Sequence, residues 1–64
     1  MKVYTVRDMV FVEKRNLNIA VAWIDGSGTV TNFPETTIAS FENCNVALTD
    51  RDKYIIRNAS KRLA

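Results

Sequence analysis

Asn18-Ile19-Ala20-Val21-Ala22-Trp23-Ile24-Asp25-Gly26-Ser27-Gly28-Thr29-Val30-Thr31-Asn32-Phe33 reads as strand, turn, strand. Apolar and β-branched residues fill both flanks. Asp-Gly and Ser-Gly fall between them, where a tight hairpin turn demands a positive φ that glycine reaches without a Cβ clash. With Gly26-Ser27 at the tip, Ile24 faces Thr29 and Trp23 faces Val30. The two-residue period of a strand then places Ile19, Val21, Trp23 and Val30 on one side, the expected core side. The other side carries Ala20, Ala22, Ile24, Thr29, Thr31 and Phe33, which is less polar than a solvated face should be.

Upstream, Met9-Val10-Phe11-Val12-Glu13 is rich in β-formers, and Lys14-Arg15-Asn16-Leu17 turns it back against residues 18–24, so a three-strand meander results. Lys2 to Val6 either begins that first strand or forms a fourth, broken at Arg7-Asp8. Thr5 and Asp8 have the spacing of a capped helix start, but the Val-Phe-Val that follows suits a pleated surface better. At the other end Thr49 is a good N-cap, Asp50 and Asp52 stand in the first turn where the helix dipole favours negative charge, and no breaker interrupts the run to Leu63. At 100° per residue Ile55, Ile56, Ala59 and Leu63 form an apolar stripe opposite Lys53, Arg57 and Lys61. Residues 34–48 have two readings. Pro34 and Glu35 suit the first turn of a short helix carrying Ile38 and Phe41, whereas Thr36 to Phe41 suits an edge strand, with Asn45 to Leu48 as another; the strand is preferred. The expected fold is therefore α+β, an antiparallel β-meander of three to four strands with one C-terminal amphipathic helix packed on one face, forming a single domain over residues 1–64.

Sixty-four residues bury only a thin core, and domains of this size draw extra stability from disulfides, a metal or a partner subunit. One cysteine makes no internal bridge and the absence of histidine removes zinc-site spacings, which leaves self-association or an unusually well-packed single layer, so a homodimer or a bound partner is expected as readily as a plain monomer. A hydrophobic content of 47% excludes the disordered class. No apolar run approaches a membrane span, and charge enters the first residues too early for a signal peptide, which together with the free thiol points to the cytoplasm. Charge is distributed unevenly. Residues 1–15 hold four basic and two acidic groups, residues 16–49 hold none and three, and residues 50–64 hold five and two. A folded domain with that layout can present one acidic and one basic face to a partner.

Most catalytic constellations fail on inventory. Without histidine there is no Ser-His or Cys-His pair, and Cys44 lies in the segment lacking Lys and Arg, so an inert thiol is expected. Asp50 and Asp52 are explained by helix capping. The Asp25-Gly26-Ser27-Gly28 turn lacks the lysine and the following helix of a phosphate loop. The chain is thus expected to be no enzyme and to need neither cofactor nor metal. One helix covers one side of the sheet, leaving Ala20, Ala22, Ile24, Thr31 and Phe33, joined by Val10 and Val12, for another cover. A protein partner or a second subunit supplies it, across the face or by strand addition at an edge, which suits an inhibitor, adaptor or regulatory subunit of the kind phages and mobile elements encode. The competing cover is the chain's own segment 34–48. The alternative function is nucleic-acid binding by the basic helix, where Lys53, Arg57 and Lys61 form a row flanked by Arg51, Tyr54 and Arg62 that neutralises phosphates.

Overall fold

The structure, a computed structural model, describes residues 1–63. The first two turns explain the meander. Strand β1 (Lys2–Val6) returns through Arg7-Asp8 as β2 (Met9–Lys14), which returns through Arg15-Asn16 as β3 (Leu17–Ile24). Arg15 and Asn16 have φ of 53° and 64°, the pair of left-handed conformations that a two-residue type I′ hairpin requires, and Arg7 has φ 53°. Strand β4 (Val30–Asn32) completes an antiparallel sheet in the order β1-β2-β3-β4. Lys2 to Val6 is therefore a strand of its own.

The third hairpin departs from the expected register. Ile24 pairs with Val30 and Trp23 with Thr31, so the loop holds five residues, 25–29. Its organiser is the Asp25 side chain, whose Oδ1 accepts from the Ser27 N–H (2.9 Å), the Ser27 hydroxyl (2.6 Å) and the Thr29 N–H (3.0 Å). An aspartate bonding the backbone two residues on is an Asx-turn, which competes with the two-residue turn that the glycines suggested. Only Gly28, with φ 86°, uses glycine's freedom to adopt positive φ.

A β-bulge on β3 changes the faces as well. Val10 pairs with Ala22 but its neighbour Phe11 pairs with Ala20, so Val21 is an extra residue. The successive residues Val21 and Ala22 both enter the core, each with no exposed surface, and beyond the bulge the alternation is inverted. Trp23, expected inside, emerges on the opposite side with 45% of its surface exposed. Ala22, Val10 and Val12, expected on the open side, are fully buried.

Residues 34–43 are helical, which corrects the strand preference. The Phe33 N–H still donates to the Val21 carbonyl (2.9 Å), but Pro34 has no N–H with which to continue the ladder, so the chain leaves the sheet there. Pro34 becomes the first residue of helix α1 (Pro34–Asn43), and the buried Thr37, Ile38 and Phe41 recur at helical spacing. The Thr37 hydroxyl lies 2.9 Å from the Ala20 carbonyl, the β3 acceptor next to the one used by Phe33, and also meets the Phe33 carbonyl at 3.0 Å. The helix ends in a Schellman motif: Asn45 is left-handed at φ 61°, the Val46 N–H donates to the Phe41 carbonyl and the Asn45 N–H to that of Glu42, both at 3.0 Å.

Helix α2 (Asp50–Asn58) begins as expected. Thr49 accepts from the Asp52 N–H at 3.1 Å while Asp52 accepts from the Thr49 N–H at 3.0 Å, a reciprocal capping box. The same carboxylate pairs with Lys14 of β2, whose ammonium also donates to the Ala47 carbonyl (2.9 Å). Sheet and helix are thereby joined at one nearly buried acid. Past Asn58 the coil tightens into a 3₁₀ segment, Ala59–Leu63. Both helices lie on the same side of the sheet, where Ile38, Phe41, Val46, Ile56 and Ala59 close over Val10, Val12, Val21 and Ala22. The fold is an α+β meander with its helical layer on one face.

Candidate interaction surface

The cross-strand register defines what the uncovered side presents. Three rows run across the strands: Lys2-Glu13-Asn18, then Tyr4-Phe11-Ala20, then Val6-Met9-Trp23-Thr31. None of these residues is buried, and none belongs to the core cluster or its fringe. Val6 and Trp23 expose 50% and 45% of their surface, far more than side chains of their kind do in a core. Segment 34–48 does not roof this side.

Its centre is ordered by its own contacts. The Tyr4 and Phe11 rings stack with centroids 5.6 Å apart and planes 12° from parallel. The Tyr4 hydroxyl reaches across β2 to donate to Asn18 Oδ1 at 2.6 Å, and the Lys2 ammonium stands 5.8 Å from the Tyr4 ring centroid. A tyrosine held by a stacked ring, a nearby ammonium and a hydrogen bond at its tip keeps one orientation, so an incoming surface meets aromatic area whose rotamer entropy is already lost.

Of the residues expected to form the surface, Ala20 and Thr31 lie on it, opposite Phe11 and Trp23. Ala22 is buried beneath it. Ile24, one residue beyond Trp23, shares the helical side with Val30 and is half-buried. Phe33 has left the sheet as the N-cap of α1. Tyr4, Val6, Met9, Phe11 and Trp23 were not expected there. The signal for Tyr4, Val6, Met9 and Phe11 was the even spacing within each of the first two strands, readable once Arg7-Asp8 is taken as a turn rather than an interruption.

The basic helix is less uniform than its spacing suggests. Arg57 donates through Nε and a terminal nitrogen to both oxygens of Glu35, at 2.8 and 2.9 Å, tying α2 to α1. That bidentate bond holds the Glu35 carboxyl below its ordinary range and raises the already high Arg57 value. Lys61 and Arg62 are exposed but sit on the 3₁₀ segment, out of the α-helical row, while Arg51 and Tyr54 are exposed and Lys53 is half-buried.

No family model, no curated protein and no solved structure matches this chain. Cys44 is exposed at the end of α1. Among the described residues there is no cleft, no group of three or more His, Cys, Asp or Glu placed to hold a metal ion, and no helix long and apolar enough to cross a membrane.

Proposed function

We propose that this chain is a non-enzymatic protein-interaction module, an inhibitor, adaptor or regulatory subunit that binds through the open face of its sheet. The observation that carries this reading is the bulge at Val21. Regular alternation along β3 would bury Trp23 beside Ile19 and Val21, and the extra residue instead turns the indole outward beside Met9 and Val6. Bulges re-aim side chains at the cost of local pairing, and an exposed tryptophan joined to an ordered Tyr-Phe stack has the composition of an interface centre. The nucleic-acid reading has less support, because Arg57 is engaged by Glu35 and, although Tyr54 is exposed on the basic helix, Tyr4, Phe11 and Trp23 lie on the other side of the sheet.

The test is chemical crosslinking of the tagged chain to its neighbours in living cells. Proteins captured by the wild type should be lost with Phe11→Glu and with Trp23→Arg, both of which retain the circular dichroism of the parent, and should persist with Lys53→Glu combined with Lys61→Glu. Loss with the lysine pair and retention with the aromatic variants would reverse the assignment.

A further inference from the structure

We propose that the occupant of the open face is a second copy of this chain, packed sheet to sheet about a two-fold axis running along β2. This rests on the interaction reading above and adds the partner to it. The order of residues across the rows selects the axis. An axis along β2 lays each row on the same row of the other copy, with β1 of one copy above β3 of its partner. Val6 then faces Trp23, and Tyr4 faces Ala20, a large side chain against a small one on either flank, while Phe11 and Met9 on the axis each meet their own counterpart. That alternation is what lets two sheets interdigitate at their usual separation of about 10 Å. An axis across the strands would instead lay Lys2 over Val6 and Glu13 over Met9, burying charge against apolar surface, which is unfavourable.

Charge agrees with the first arrangement. The face carries one cation and one anion, Lys2 and Glu13, both in the end row, which the axis leaves at the rim with each Lys2 near the Glu13 of both copies. The five basic residues of the C-terminal segment are on the helical side, away from the contact, and the two Glu13 that meet on the axis each have a Lys2 beside them, so the facing end rows carry no net charge. Size sets the strength. The three strands that overlap, β1 to β3, at about 4.8 Å spacing and three rows at about 6.6 Å outline roughly 300 Å² of flat area per copy, well below the roughly 800 Å² per partner of a standard stable interface. The dimer is therefore reversible and concentration-dependent, with each protomer folded by its own core.

Sedimentation equilibrium from micromolar to millimolar protein tests this. The expected mass rises from one chain toward two, and the thermal midpoint rises with concentration alongside it. Trp23→Arg and Ala20→Arg should each weaken association by roughly tenfold or more. The specific arm is an exchange: Val6→Trp alone and Trp23→Val alone weaken association, and the two together restore it, because the swap preserves large against small across the axis. A chain that stays single at every concentration overturns the second copy, as does an association that the arginine variants leave unchanged or that the exchange fails to restore. The crosslinking result remains separate: a single chain whose captured neighbours depend on Trp23 keeps the interaction reading with a different occupant, and one whose neighbours do not loses both.

Discussion

Asn45 has φ 61° in the turn that ends α1, and two backbone bonds depend on that conformation. A left-handed residue with a Cβ costs about 1–2 kcal/mol, and asparagine carries less of that cost than most because its short polar side chain bonds locally. Asn45→Gly should therefore raise stability or leave it unchanged, whereas Asn45→Val should lower it by about 1–2 kcal/mol in urea unfolding. An equal effect of both would show that the Schellman geometry does not constrain this position. Thr37 makes a comparable point inside the core. Its hydroxyl, in an almost inaccessible side chain, lies within bonding distance of the Ala20 and Phe33 carbonyls, so Thr37→Val keeps the volume but strips a donor from two acceptors and should cost about 1–2 kcal/mol.

Among the elements, α2 has a start that depends on pH through a nearly buried acid. The Asp52 carboxyl lies below its ordinary range, first because Lys14 bonds it and then because Thr49 does, against a desolvation cost that acts the other way. A depressed folded-state value gives stability that is fully present above the unfolded value of about 3.9 and is lost as pH falls through the folded value. Asp52→Asn keeps an acceptor for the Thr49 N–H but loses the charged bond to Lys14, so it should destabilise at neutral pH by about 1.5–3 kcal/mol and should flatten the part of the acid transition below about pH 4 that this group supplies. Thermal midpoints of the two chains between neutral pH and pH 2 would converge if this is right and run parallel if it is wrong. The helix itself was legible because Thr49, Asp50 and Asp52 form a local signal that needs no tertiary context. The meander was legible for the same reason, since Lys14-Arg15-Asn16-Leu17 and Asp25 to Gly28 are punctuation. Helix α1 was not, because Thr36, Thr37 and Ile38 favour strands and only the missing donor at Pro34 and the core contact of Phe41 decide between the two. The bulge had no local signature at all. It is set by where Val21 and Ala22 can both be buried under Phe41 and Ile56, and one extra residue then inverts every face beyond it, which moved Trp23 from the expected core to the candidate site and Ala22 in the opposite direction.

At the scale of the whole molecule, the packed face of the sheet carries the stability and the open face does not. A domain of 64 residues has a total stability of about 3–10 kcal/mol. Phe41 is wholly buried in the core under α1, and truncating a buried phenylalanine costs about 3–5 kcal/mol, so Phe41→Ala should remove a large part of that stability. Trp23 is the larger side chain, and had it been in the core Trp23→Ala would be at least as damaging. On the open face it leaves no cavity, so at protein concentrations too low for association Trp23→Ala should change stability by less than about 1 kcal/mol. The two variants, unfolded by urea side by side at low concentration and followed by far-ultraviolet circular dichroism, thus rank in the reverse of their volumes. A Trp23→Ala chain that unfolds as readily as Phe41→Ala would return the indole to the interior and restore the regular alternation of β3.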